Sequence, residues 1–509
     1  MVSKVSSLAV NGLDVYPVDI EVDIQRGLPA LSIIGLGDTQ VKESKDRVRS
    51  AINNSGYNFP SRRITINLAP ANIKKEGTHF DLAIALALLN SSNQAALELS
   101  SYIILGELSL EGNIRKVKGV FPMAMKAKEL NKKLVVPLGN AREAALVRGL
   151  RIYPVGSITE AVAFLSRAVD IKPFALPESY FSLRKPVYDV DFSDVKGQVF
   201  AKRAMEVAIS GMHNIIMIGP PGVGKTMLAR RIPTILPDMS SDEVLDVTKI
   251  YSIYGLLNSK EPLVKTRPFR APHHTSSGIS LVGGGANIKP GEITLAHNGV
   301  LFLDELPEFS RDSLESLRQP LEDGFVSISR AAKHLQFPSR FLLVAAMNPC
   351  PCGYFGSQDR ACHCSSYHIQ KYRRKISGPL LDRIDIHIEL QSIKTDDLMN
   401  QTTVSESSED IKKRVERVRN IQGNRFKNDK IFFNSQMGHK DIKKYCALTD
   451  EAKSLLKAAI RELRFSARSY DKILKVARTI ADLGNSDNIK PEHISEAVRY
   501  RSLDKNLWI

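Results

Sequence analysis

The sequence predicts an α/β chain built around a parallel sheet, with a second α/β unit before that sheet and a helical unit after it. Three observations carry this. The apolar run "NIIMI" (214–218) enters a glycine-rich loop and leaves it as a helix pattern, "KTMLARRIPTIL", which is the strand–loop–helix step of a phosphate-binding fold. Two further apolar runs, "GVLFLDE" (299–305) and "RFLLVAAMN" (340–348), end in polar residues, as buried parallel strands do at a working edge. The length, 509 residues, exceeds what one core holds and implies about three units.

Along the chain, residues 1–170 read as the first α/β unit. "DVYPVDIEVDI" and "RRITINLAP" alternate like strands. "DLAIALALL" (81–89) is apolar throughout and made of good helix formers, so it reads as a buried helix. "SYIILGELSLEGNIRKVKG" reads as two strands joined through "EGN", "FPMAMKAKELN" as a helix and "KKLVVP" as the strand after it. Pro173, Pro177 and Pro186 mark 171–187 as a linker. The core with the recognisable chemistry runs over 188–393. The polar stretch "KTDDLMNQTTVSESSED" opens a linker or helical connection, 394–435, and 436–509, rich in Ala, Leu, Lys and Arg, reads as a helical bundle.

Composition narrows the function classes. Hydrophobic residues make up 43% and charged residues 25%, an ordinary globular balance. No apolar run approaches the roughly 20 residues of a membrane span, and the opening "MVSKVSSLAVNGLDVYPVDIEVD" carries acids where a secretory signal has an apolar core. A cytoplasmic protein without a membrane partner is expected. Lys plus Arg is 71 against 55 Asp plus Glu, a formal net charge of +16, which favours a polyanion partner, nucleic acid first.

The glycine-rich loop is Gly219-Pro220-Pro221-Gly222-Val223-Gly224-Lys225-Thr226. In that pattern the glycines let backbone N–H groups curl around phosphate oxygens and the helix N-terminus adds its positive end. Lys225 is expected on the β- and γ-phosphates of ATP, and Thr226 on Mg²⁺. Asp304 would hold Mg²⁺ from the second strand, and Glu305 would polarise the attacking water. Asn348, ending the third strand, would orient that water.

These segments resemble the AAA+ ATPases, within them the magnesium-chelatase-like group, and most closely the ComM/YifB family of bacterial proteins. The resemblance rests on "DVKGQVFAKRAMEVAISGMHNIIMIGPPGVGKTMLARR", "FRAPHHTSSGISLVGGG", "GEITLAHNGVLFLDELPEF", "AAMNPCPCGYFG", "SGPLLDRIDIHIE" and "SARSYDKILKVARTIADL". It extends over nearly the whole chain. It implies a P-loop core with a parallel sheet, a C-terminal helical lid and a ring, a homo-hexamer. Arg383 in "GPLLDRID" matches the arginine finger, supplied to a neighbour's ATP, and Arg468 in "SARSYDKIL" the second sensor on the lid. "EDGFVSISRAAKHLQFPSRF" matches a hairpin facing the ring's pore, where Arg330, Lys333 and His334 would meet a single-stranded or branched DNA backbone; a solvated hairpin tip is the alternative. "HHTSSGISLVGGG" (273–285) resembles the family's second pore element. The activity implied is ATP-driven branch migration, helicase-like, in homologous recombination and natural transformation, with recombination proteins as further partners. A chelatase-like motor subunit and a relative of ATP-dependent proteases stand as alternatives.

Two local patterns complete the reading. Cys350, Cys352, Cys362 and Cys364 form two C-x-C units; they suit a structural Zn²⁺ or remain reduced thiols. The basic run Arg360, Lys371, Arg373, Arg374, Lys375 and Arg383 would line a DNA path or a subunit interface. Residues 1–170 resemble the Lon-protease-like fold, but its serine–lysine dyad falls on His79 and on Phe121 or Pro122, so the unit is expected to be non-proteolytic. Lys74, Lys75 and His79 there read as solvated charges, with a binding role as the alternative.

Overall fold

The computed structural model describes residues 2–181, 188–285, 289–330, 333–357, 360–391, 405–463 and 465–501; the side chains of Arg330, Lys333 and His334 lie outside the description. Its contacts divide the chain into two units, 1–184 with 240–265, and 185–239 with 266–509.

The first unit is a seven-stranded sheet. Its strands are β1 (Ser3–Asn11), β2 (Asp14–Gln25), β3 (Ala30–Ile34), β4 (Arg63–Ala69), β5 (Tyr102–Ile104), β8 (Lys133–Pro137) and β9 (Ile152–Val155), with β6 (Glu107–Leu108) and β7 (Ile114–Arg115) forming a separate ribbon; the sheet order is β3-β4-β2-β1-β5-β8-β9. β2 alternates as the sequence predicts: Val18, Ile20 and Val22 are buried between polar neighbours. The apolar helix Asp81–Ser91 packs against β1, β2 and the helix Thr39–Asn54, which is why it is apolar all round.

The segment 240–265, inside the expected 188–393 core, packs with this first unit. Its helix Ser241–Tyr254 opens with a reciprocal cap, Ser240 Oγ accepting from the Glu243 N–H and Glu243 accepting from the Ser240 N–H. It docks on the helix Val120–Glu129: Gly119 donates to the Ser252 carbonyl at 3.0 Å, and the Ser252 hydroxyl donates to Glu143 at 2.6 Å. Nothing local in the sequence says which unit this helix joins.

The second unit holds β10 (Ile215–Ile218), β11 (Phe269–Arg270), β14 (Gly299–Leu303), β17 (Phe341–Met347) and β18 (Ile386–Glu389) in one parallel sheet, order β11-β14-β17-β10-β18. Two hairpins stand apart, β12–β13 (Gly283–Gly284, Lys289–Pro290) and β15–β16 (Phe325–Arg330, Lys333–Pro338). Both faces of the sheet are covered, so its strands are apolar without alternation. Ile216 and Ile218 face a core with Leu301, Leu303 and Leu343; Ile215 and Met217 face one shared with Val415, Ile473, Ala477 and Ile494 of the C-terminal helices. Ser408–Arg425, in the stretch read as a connection, is an 18-residue helix that buries Ile411, Val415 and Val418 in that core. The lid helix Ala467–Leu483 is tied to the start of β18: Lys472 lies 3.2 Å from Asp385, which also receives His213 at 3.2 Å. Burial would raise the Asp385 carboxyl, but Lys472 and His213 hold it well below the usual range. Among the described residues no helix is long and apolar enough to cross a membrane.

Candidate functional site

In the order β14-β17-β10, the three strands that end in chemistry are neighbours, with Leu303 paired to Ala345 and Ile218 to Met347. Their C-terminal ends therefore bring together the glycine loop, Asp304-Glu305 and Asn348. Gly222 and Gly224 have φ of 83° and 93°, and a Cβ on either would meet nothing within 4 Å, so the loop arches over open space. Gly219 is the opposite case: a Cβ there would lie 2.6 Å from the Leu390 carbonyl oxygen, so its strand end is tightly seated.

Lys225 is the first residue of the helix Lys225–Ile235. Its ammonium donates to the carbonyls of Gly219 and Pro220 at 2.6 and 2.8 Å and to Asn348 Oδ1 at 3.1 Å. Burial pulls its pKa down to about 8, against the opposing influence of Asp304 and Glu305. Thr226 donates to Asp304 Oδ2 at 2.7 Å, so a hydroxyl and a carboxylate stand side by side, a hard oxygen pair of the kind magnesium takes. Glu305 has a left-handed backbone, φ 52°, held by its own N–H donating to Asp304 Oδ1 at 2.9 Å. That conformation turns a half-exposed carboxylate toward His274 Nδ1, 3.1 Å away. His274 was not singled out individually in the sequence; the signal was its place in "APHHTSS", directly after β11.

The two arginines are elsewhere. Arg383 precedes β18, and its carbonyl accepts from Asn214, the residue before β10. It therefore sits at the N-terminal edge of the sheet. The four residues of β10, at about 3.3 Å each, put roughly 10 Å of strand between that edge and the phosphate loop. Its guanidinium is held at its own edge by Glu322 and by the Pro379 carbonyl. Arg468 lies with it, 3.7 Å from Asp382 and 73% exposed. Both border a cavity of about 560 Å³ with Arg340, Lys430, Lys472 and Lys475. The structure thus separates the predicted residues into two groups at opposite ends of one sheet.

Of the predicted DNA residues, the backbones of Arg330 and Lys333 pair across the end of the β15–β16 hairpin, and His334 pairs with Ser329. Residues 331–332 lie outside the described residues. The basic run does not form one surface: Arg373 is buried and donates to the Pro349 carbonyl at 3.2 Å, while Lys375 pairs with Glu308. In the first unit the reading of Lys75 and His79 as solvated is corrected. Lys75 is fully buried, with its ammonium on the carbonyls of Gly35 and Pro70. The His79 ring is buried against the Leu8 carbonyl at 2.8 Å, and burial lowers its pKa to about 4. Lys74 is the exposed one, paired with Glu76. Phe121 is buried.

The four cysteines meet: all four sulfurs lie within 4.8 Å of one another, and none is in a disulfide.

Comparison with known proteins agrees with this architecture. The family described as "Magnesium chelatase, subunit ChlI" matches residues 191–398, "Subunit ChlI of Mg-chelatase" residues 20–140, and "Magnesium chelatase, subunit ChlI C-terminal" residues 405–501. The chain is 42% identical over 508 residues to the uncharacterized protein YifB of Escherichia coli K12, covering 99% of this chain and 98% of that one. It is 42% identical over 504 residues to the competence protein ComM of Haemophilus influenzae, covering 98% and 97%. Lon protease 2 of Bacillus subtilis is 28% identical over 159 residues, 29% of this chain and 28% of that protein. With full-length relatives and three family segments along one chain, this protein belongs to the magnesium-chelatase family of AAA+ proteins, in the group that contains YifB and ComM.

Proposed function

We propose that the protein is an ATP-driven DNA motor that works as a ring of six, moving branched or single-stranded DNA during homologous recombination and natural transformation. The observation that carries the reading is the separation of the two groups on one sheet. Lys225, Thr226, Asp304, Glu305 and Asn348 form a nucleotide half at the C-terminal edge; Arg383 and Arg468 form an arginine half at the other. Neither half alone can hydrolyse ATP efficiently, because phosphoryl transfer needs both a cradled γ-phosphate and a cation on its developing charge. A ring in which one copy's arginine half faces the next copy's nucleotide half completes every site.

In this reading the loop's N–H groups and Lys225 hold the phosphates, and Lys225 exchanges its carbonyl partners for them. Thr226 and Asp304 hold a magnesium ion, which offsets phosphate charge when bound. Glu305 and Asn348 position the attacking water. The His274 ring, 3.1 Å from the Glu305 carboxylate, competes with water for that carboxylate. Arg383 stabilises the neighbour's γ-phosphate, and Arg468 acts beside it. The four cysteines hold a structural zinc ion. DNA as the track is supported by the net charge of +16, by the Arg330–Lys333 hairpin end and by a competence protein among the full-length relatives; backbone contacts of this kind are independent of sequence, as a motor needs.

ATP turnover with and without single-stranded and branched DNA, at low ionic strength, tests it, with Glu305→Gln as the blank. Turnover stimulated by DNA and lost in the variant is expected. Turnover indifferent to every DNA would remove the track and favour a chelatase-like motor acting on another substrate.

A further inference from the structure

The cysteine loop lies where the strand β17 ends. Cys350 is fully buried two residues beyond Asn348. The sulfurs of Cys350 and Cys352, Cys350 and Cys362, and Cys352 and Cys362 are 3.4, 3.7 and 3.6 Å apart. Four thiolates at about 2.3 Å from one tetrahedral ion stand about 3.8 Å from each other. A disulfide would bring a pair to about 2.05 Å. A four-iron cluster places each thiolate on a separate iron, which needs more room than four sulfurs within 4.8 Å leave. A closed, all-sulfur, tetrahedral set suits a structural zinc ion.

That loop also touches the phosphate loop. Gly353, φ 88°, turns the chain just past the first cysteine pair, its N–H donating to the Cys350 carbonyl at 3.0 Å. A Cβ on Gly353 would lie 2.7 Å from Cδ of Pro221, so the two loops are in contact at a point where only glycine fits. On the other side, Phe355 donates its N–H to Cys350 Sγ at 3.3 Å, and its ring lies 5.2 Å from the guanidinium of Arg373, whose Nε donates to the Pro349 carbonyl. Asn348, Pro349 and Cys350 are thereby held between the cysteine cluster and the nucleotide pocket. Thiols alone make only weak hydrogen bonds and would not fix this loop.

We propose that Cys350, Cys352, Cys362 and Cys364 bind one zinc ion, displacing four thiol protons, and that the ion clamps the loop after β17 against Pro221, so that Asn348 keeps its place beside Lys225. The clamp rests on the ATP-site reading above; the metal site does not.

The full chain, purified without chelator, is assayed for metal by elemental mass spectrometry, for tetrahedral sulfur ligation by cobalt substitution and absorption, and for binding of a fluorescent ATP analogue. One zinc per chain and a tetrathiolate cobalt spectrum are expected. The double variant Cys362→Ser, Cys364→Ser should lose the metal and bind nucleotide about tenfold more weakly. Gly353→Ala leaves all four thiols in place; it should keep the metal yet also weaken nucleotide binding, because its methyl group pushes the loop off Pro221. A chain without zinc or a tetrahedral cobalt spectrum, whose four thiols all react with a thiol reagent, overturns the metal site. Zinc retained in the wild type with nucleotide affinity unchanged in both variants overturns the clamp and leaves the ATP reading standing. A wild type that holds zinc but binds no nucleotide overturns the ATP reading and the clamp together while the metal site stands.

Discussion

Lys75 and Lys225 are both buried lysines whose ammonium donates to two backbone carbonyls, and burial lowers the pKa of both. Their surroundings differ. Beside Lys75, Gly35 is packed shut: a Cβ there would lie 2.2 Å from the Leu68 carbonyl oxygen. Beside Lys225, Gly222 and Gly224 face open space, and Asp304, Glu305 and Asn348 converge on the same place. Burial and a lowered pKa accompany structural and functional lysines alike. What separates them is backbone left open next to the charge. In the first unit the lysine closes a loop; in the second, on the proposed reading, it would exchange its carbonyl partners for phosphate oxygens.

The largest test of this contrast lies away from both lysines. Arg383→Ala should lower ATP turnover about a thousandfold while nucleotide binding stays intact, since Arg383 is held at the opposite edge of its own sheet. Mixing it with Lys225→Ala chains should restore part of the turnover, because each variant carries the half the other lacks; mixtures as inactive as their parts would refute shared sites. Lys225→Ala should weaken binding of an ATP analogue by roughly ten- to a hundredfold with little change in unfolding temperature. Lys75→Met should do the reverse. Leaving the Gly35 and Pro70 carbonyls unpaired costs about 1–3 kcal/mol, read by calorimetry, with turnover per folded molecule unchanged. If Lys75→Met abolished nucleotide binding at full stability, the contrast would fail.

Acidity sharpens the same point. Burial pulls the Lys225 pKa down to about 8, and a bound phosphate would favour its charged form and raise that value. Binding therefore takes up a proton above pH 8: ATP affinity should be flat below pH 8 and fall above it, by up to about tenfold per pH unit. The stability term has the opposite sign. The folded pKa lies below that of an unfolded lysine, so the charged form costs stability below pH 8 and the cost is relieved as pH rises. Titration calorimetry and thermal unfolding across pH 7–9.5 read the two separately. The smallest effect belongs to Lys74, exposed and 2.8 Å from Glu76. Lys74→Ala should change stability by less than about 1 kcal/mol.

The proposed nucleotide half can be picked out residue by residue in the sequence because its patterns are local. A glycine-rich turn between strand and helix, and acids or an amide ending an apolar run, are each set within a few positions of chain. The arginine half was legible only through resemblance, since one arginine among many has no local signature. The burial of Lys75 and Arg373 was not legible at all. Lys75 read as a solvated or binding charge and Arg373 as lining a DNA path or a subunit interface; only the carbonyls of Gly35, Pro70 and Pro349 make their burial tolerable. The helix Ser241–Tyr254 shows the same limit: its cap and length are written in its own residues, its partner is not.

By itself the sequence determined the α/β class, the phosphate loop and the strand-end acids, since backbone freedom at glycine and the burial of apolar runs act over short stretches of chain. The tertiary structure alone decided that β17 lies between β14 and β10, which sets Asn348 against Lys225. It decided that Arg383 and Arg468 share the far edge, and that the cysteine loop rests on Pro221. These depend on contacts between residues far apart in the chain, where packing of whole surfaces, not local propensity, selects the neighbour.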